Sequence, residues 1–215
     1  MSIFSRKSPR AAETPAAPAA ATTAVLDFEP ATAATADVTG DYTVDPTHTR
    51  IGFSTRHAMV TTVRGAFTDF EGTAHLDVAN PAQSSAQLRI KVASIDTAQE
   101  QRDAHLRTGD FFDAEQYPEI VFASTAVEQL DADLYAVTGD LTIKDVTKPV
   151  TVEFTVVGSA KDPFGNLRVG FEGSATINRK DWGLTYNAAL ETGGVLISDR
   201  IKLEFDVSAI AASAN

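Results

Sequence analysis

The sequence predicts an all-β fold: a closed antiparallel barrel of about eight strands with a short helix across one end. Three observations predict it. Apolar and polar residues alternate with a period of two along most of the chain after Tyr42, turn-forming residues separate the alternating runs, and one stretch of helix formers breaks the pattern.

Period two sends successive side chains to opposite faces of a strand, so each run has one dry face and one wet face. Ile51, Phe53 and Thr55 alternate with Arg50, Gly52, Ser54 and Arg56. Phe70, Gly72, Ala74, Leu76 and Val78 alternate with Glu71, Thr73, His75 and Asp77. Ala86, Leu88, Ile90 and Val92 come next, with Gln87, Arg89 and Lys91 on the wet face. Ile120 and Phe122 begin a further strand after Pro118, and segments 135–143, 150–156, 167–177 and 201–207 repeat the pattern. Asn80-Pro81, Asp131-Ala132-Asp133, the loop from Asp162 to Asn166 and Gly193-Gly194 supply turns. Closing the sheet removes its exposed edges, which favours a barrel; a β-sandwich is the architecture that alternation alone leaves open.

The exception runs from Thr97 to Arg107. It has good helix formers, a threonine able to cap the first turn and Glu100 three residues on, and Gly109 ends it before Asp110-Phe111-Phe112-Asp113. A short helix across one barrel end is expected there.

Residues 1–40 are rich in Ala, Pro and Thr and read as a disordered tail, within which Val25-Leu26-Asp27-Phe28 is the sharpest candidate for a short docking motif. The barrel domain is expected at 41–210, with a C-terminal tail at 211–215. The N-terminus carries basic residues but no apolar stretch after them, so a cytoplasmic protein is expected. No run of eighteen apolar residues occurs, so no transmembrane segment is expected.

Formal net charge is −11, from 18 Lys+Arg against 29 Asp+Glu. An acidic surface repels phosphate backbones, so no nucleic-acid partner is expected, and it disfavours unaided docking on anionic membranes. The absence of cysteine removes disulfides and thiolate chemistry.

Catalytic signatures such as G-x-S-x-G, Gly-rich phosphate loops and H-E-x-x-H are absent. His48 and His57 are an odd number of residues apart in one extended segment, His75 falls on a wet face and His105 on the expected helix, so no metal site is expected. Asp110, Asp113 and Glu115 cluster around a turn, where acidic residues serve as caps and turn formers. No catalytic residue, enzyme activity or cofactor follows from these residues.

The twelve phenylalanines carry more information. An eight-stranded barrel either fills its interior with side chains or holds one small ligand. Gly72, Ala74, Ala86, Gly139, Gly173 and Ala175 on the apolar faces lean toward vacant space.

Seven motifs in order carry a resemblance, the first of them in three pieces. Asp45-Pro46-Thr47-His48-Thr49 precedes Ile51-Gly52-Phe53 and Arg56-His57-Ala58-Met59. Val63-Arg64-Gly65-Ala66-Phe67, Arg102-Asp103-Ala104-His105-Leu106, Asp110-Phe111-Phe112-Asp113 and Tyr117-Pro118-Glu119-Ile120 follow. Gly139-Asp140-Leu141-Thr142-Ile143 and Asn178-Arg179-Lys180-Asp181-Trp182-Gly183-Leu184 complete the set. From Tyr42 to about Ile210 the chain resembles the YceI-like proteins.

The resemblance implies a lipocalin-like barrel whose interior takes the chain of a polyprenyl compound or isoprenoid quinone. It also implies frequent homodimers and, in many relatives, secretion to the periplasm, where the tail of this chain departs from them. Lys144-Asp145 stands where the family commonly has glycine, and Asp145 is expected to tolerate the turn. The expected lining comprises Phe53, Phe67, Leu88, Ile90 and Phe122 with Leu141, Phe154, Phe171 and Phe205. His57, Arg102 and Trp182 are placed at the mouth, with Phe112 on its rim. The expected role is binding an isoprenoid as carrier, store or presenter. The alternative is a non-catalytic interaction module with a packed core that recruits a protein partner through its acidic surface and tail.

Overall fold

The computed structural model describes residues 38–189 and 194–212. The expected disordered tail with its Val25 to Phe28 motif, Gly193 of the expected turn, and residues 213–215 lie outside the described residues.

Among the described residues eleven strands form one antiparallel sheet: β1 (Gly40–Val44), β2 (Arg50–His57), β3 (Thr61–Phe67), β4 (Phe70–Leu76), β5 (Ser85–Lys91), β6 (Ile95–Asp96), β7 (Glu119–Gln129), β8 (Leu134–Ile143), β9 (Val146–Lys161), β10 (Leu167–Asn178) and β11 (Ile197–Ala211). Helix α1 (Glu100–Leu106) lies between β6 and β7. β11 closes the sheet. One edge of it pairs with β10, and the other pairs first with β2, as Phe205 with Ile51, and then with β1, as Ala209 with Val44.

The register shows that three pairs of segments act as single long strands. β1 pairs with β4 while β2 pairs with β3, and β4 pairs with β5 while β3 pairs with β6. Thus β1 and β2 are one strand broken at residues 45–49, β3 and β4 one strand broken at 68–69, and β5 and β6 one strand broken by the 3-10 turn Val92–Ser94. The result is a closed eight-stranded up-and-down barrel, and its closure settles the choice against a β-sandwich. β9 has 16 residues and β11 has 15. At roughly 3.3 Å per residue these strands reach about 50 Å, which makes a long barrel.

A polar knot holds the break between β1 and β2. Asp45, 7% exposed, accepts from Thr47 Oγ1 at 2.7 Å and the Thr47 backbone N–H at 2.9 Å on one oxygen, while its other oxygen accepts from Arg168 Nη1 at 2.6 Å and lies 2.7 Å from His48 Nδ1. Arg168 also reaches Asp162 at 3.0 Å across the β9–β10 turn. Arg168 first, then Thr47, hold the Asp45 carboxyl well below the usual carboxylate range, against the opposing effect of burial. Asp162 is lowered to about 2, chiefly because the Asn166 side chain donates to it.

Three local expectations are corrected. The helix begins at Glu100 with Gln99 as its cap, the Gln99 side chain accepting from the Arg102 backbone N–H; Thr97 is not the cap, because Asp103 engages it instead. The positive φ in the β8–β9 turn falls on Lys144, at 57°, and not on Asp145. β11 runs one residue past the expected end of the domain, to Ala211.

Candidate functional site: an apolar channel along the barrel

Buried side chains cluster toward both ends of the barrel, and between them the middle is hollow. At the end opposite α1, Tyr42, Val169 and Ala209 are buried together, and Tyr42 Oη donates to the Val38 carbonyl at 2.8 Å. Under α1, Val92, Ile95, Phe111, Trp182 and Leu184 belong to the larger buried cluster. Between them Phe53, Phe122, Phe154, Phe171, Leu203, Phe205 and Val207 point inward yet are only half-buried. In a filled core such residues would be covered on all sides. Here they line a cavity of about 730 Å³. Its wall includes residues of every strand but β6, and along β8 it extends from Tyr135 to Ile143. That is roughly 25 Å of strand at about 3.3 Å per residue, so the space is elongated.

All nine expected lining residues, Phe53, Phe67, Leu88, Ile90, Phe122, Leu141, Phe154, Phe171 and Phe205, border this cavity, as do His57, Arg102 and Phe112. Trp182 does not. It is 3% exposed, donates its indole N–H to the Leu141 carbonyl at 3.0 Å and packs within the core under α1, so it is no mouth residue. It sits where strand alternation stops because it packs into the core against β8, not because it rims the opening.

The small inward residues also act differently from expectation. A Cβ added at Gly139 would overlap the Phe122 ring, one at Gly173 the Phe154 ring and one at Gly65 the Phe53 ring. Phe154 and Phe53 face their glycines directly across the ladder. Each ring therefore lies flat on a neighbouring strand, as aromatic residues do over sheet glycines. The glycines do not themselves leave vacant space; they seat phenylalanines against the wall and so keep rings out of the lumen.

Polar groups gather at the α1 end. Arg102 is held by Thr97, its Nε donating to Oγ1 and one Nη to the carbonyl, both at 2.7 Å, while Asp103 grips the same threonine from the other side. Arg179 is buried; it donates to the carbonyls of Leu184, Tyr186 and Ser198 and lies 3.3 Å from Asp199, which ties the segment after β10 to β11. Burial pushes its guanidinium pKa down, with Asp199 opposing. His105 sits 2.7 Å from Asp110 and stacks edge-on against Phe111 and Tyr186. Among the described residues, the side chains of His57, Gln101 and Tyr186 border the cavity without a hydrogen-bond partner. Tyr186 and Gln101 escaped sequence reasoning, since Tyr186 lies between the alternating runs 167–177 and 201–207 and Gln101 is an ordinary exposed helix residue. The described residues hold no group of three or more His, Cys, Asp or Glu side chains placed to share a metal ion, and no helix long and apolar enough to cross a membrane.

The Asp103 grip predicts a measurable loss. Asp103→Ala leaves the buried Thr97 N–H and hydroxyl without an acceptor, at a cost of about 2 kcal/mol. Denaturant unfolding should show it together with faster amide exchange over residues 97–107. A change below about 0.5 kcal/mol would mean that water replaces the carboxylate freely.

Known proteins share this architecture. Protein YceI of Escherichia coli O157:H7 is 40% identical over 149 residues, 68% of this chain and 78% of that protein. UPF0312 protein plu2095 of Photorhabdus laumondii is 44% identical over 135 residues, 63% of this chain and 70% of that protein. Among solved structures, BcnA of Burkholderia cenocepacia superimposes with a TM-score of 0.68 at 29% identity, covering 77% of this chain and 98% of BcnA. A polyisoprenoid binding domain from Saccharophagus degradans shares the fold with a TM-score of 0.60 at 18% identity, over 80% of this chain and 98% of that one. The family model of the YceI-like domain matches residues 42–209, the span from the buried Tyr42 to the buried Ala209 that close the barrel, and the chain belongs to the YceI-like family.

Proposed function

We propose that the channel binds the chain of one isoprenoid lipid or isoprenoid quinone and that the protein serves as its carrier, store or presenter. The half-buried phenylalanines around a cavity of about 730 Å³ carry this reading. That volume lies in the range of ligand pockets, about 300–1,000 Å³, and its length suits an extended chain rather than a compact molecule. The isoprenoid class is favoured because a domain of the same fold is a polyisoprenoid binding domain. Apolar burial at about 25 cal/mol per Å² drives entry. His57, Gln101 and Tyr186, with hydrogen-bonding capacity to spare, meet the polar head at the α1 end. The reading is one of binding and release.

Native mass spectrometry of protein purified without detergent tests it. The expected spectrum shows one added mass per chain that organic extraction removes and that fragments in five-carbon steps. Bare protein from several expression hosts would contradict the reading and favour the packed interaction module.

A further inference from the structure

The α1 end of the barrel carries an exposed apolar tip. β2 and β3 join through Ala58, Met59 and Val60, of which Met59 is 72% and Val60 77% exposed. Ala58 N–H donates to the Leu196 carbonyl at 2.7 Å, which sets this turn beside Val195, itself 42% exposed. His57 and Leu196, the residues on which the turn is built, border the channel. Phe164 is more exposed still, but it stands in the β9–β10 turn at the opposite end, and single exposed apolar residues are ordinary.

The wall below the tip is basic, in a chain of net charge −11. On the outer face of the sheet, Arg64 of β3 and Lys202 of β11 flank Ser54 of β2 in one row. Arg56 lies one row nearer the tip on β2, and Arg200 two residues nearer that end on β11. All four cations are exposed, and Lys202 is engaged by Glu204 at 3.0 Å. Arg56 and Arg200 make no ion pair among the described residues, and Arg64 lies near enough to Glu204 to lower its carboxyl pKa without a direct ion pair. Elsewhere at the same end the charges are mixed, with Glu100, Asp110 and Asp145 beside Lys144, Lys148 and Lys180.

An apolar tip above exposed arginines matches the interface of an anionic bilayer, where apolar side chains enter the headgroup boundary and cations meet phosphates. Each cation held near such a surface strengthens binding roughly fivefold. The acidic remainder opposes approach from afar, yet beyond about 8 Å at physiological salt it is screened.

We propose that the β2–β3 edge of the barrel mouth docks on anionic lipid bilayers, Met59 and Val60 entering the interface and Arg56, Arg64 and Arg200 binding headgroup phosphates. Docking there sets the channel mouth against the membrane that stores apolar lipids. That it serves exchange of the channel's contents rests on the function proposed above; the docking itself does not.

Sedimentation of the full chain with vesicles of phosphatidylcholine, with and without phosphatidylglycerol, tests the proposal. The wild type is expected to bind only the vesicles containing phosphatidylglycerol, and less as salt rises. Met59→Asp with Val60→Asp should abolish that binding, and aspartate tolerates the positive φ of 60° at Met59. The triple change Arg56→Gln, Arg64→Gln and Arg200→Gln should weaken binding about a hundredfold. Melting midpoints should stay as in the wild type. A wild type that ignores anionic vesicles, or variants that bind them as well as it does, would overturn the proposal. So would a Met59/Val60 variant that splits a dimer while vesicle binding persists, which would make the tip a contact between copies. Vesicle binding by a barrel that extracts bare would leave docking standing and remove the isoprenoid reading alone.

Discussion

Replacing Asp45 by alanine is expected to destabilise the protein by about 3 kcal/mol, the low end for breaking a buried ion pair. The carboxylate is almost fully buried, and its loss strips an acceptor from Arg168 and Thr47 at the point where β1 hands over to β2. Solvent reaches part of Arg168, and Asp162 remains as its partner, which keeps the cost from rising further. Asp45→Asn, which keeps the shape and loses the charge, should cost about half as much. The same carboxylate makes the fold acid-sensitive. Its folded pKa lies below the ordinary value of 3.8, so its contribution is complete above that pH and is lost as pH falls through the lower folded value. Unfolding curves at pH 6 and pH 3 would show the difference between wild type and Asp45→Ala shrinking at the lower pH. An unchanged difference would assign the loss to packing and not to charge.

Gly139→Val should be comparably damaging. The new Cβ meets the Phe122 ring on one side and the Ala123 carbonyl oxygen on the other, and the carbonyl is backbone and cannot swing away. The ring must leave its seat for the lumen, and overpacking of this kind costs about 1–3 kcal/mol. The displaced ring also occupies part of the channel, so extracted lipid should fall with stability. Gly170→Ala is the control. It lies on β10, where an added Cβ finds only ordinary contacts beyond 3.5 Å, and it should change neither quantity much. Equal behaviour of the two variants would show that Phe122 is not seated by Gly139.

The strands were legible because each has one face toward the lumen and one toward water. Period two survives even where the dry face looks onto a cavity, since alternation reports which side is apolar and not what fills it. The strand β3 was recognised only as the motif Val63 to Phe67, because Gly65 and Ala66 blur the contrast between its faces. β7 continues seven residues past Phe122 through Ala123, Ser124, Thr125 and Ala126, small and polar residues with a bulge at 124–126 that breaks the period. The three broken strands were unreadable for a further reason: pairing across a break depends on register with distant neighbours. The same holds for Trp182 and Tyr186. Both lie between the alternating runs 167–177 and 201–207, and only the fold decides that one packs into the core while the other stands at the mouth.

The most direct measurement concerns Leu203. It lies mid-strand on β11, half-buried against the channel, with Phe53 and Ala175 as its cross-strand neighbours and Lys202 and Glu204 facing out. Wild type and Leu203→Trp are purified without detergent, and the lipid extracted per chain is measured beside the melting midpoint of the stripped proteins. The hollow barrel predicts one apolar molecule per wild-type chain, its loss in Leu203→Trp, and stripped proteins that melt within a few degrees of each other, because the indole enters vacant volume. No lipid in the wild type, together with a variant that melts far lower, would mean that the interior is packed and that nothing belongs inside it.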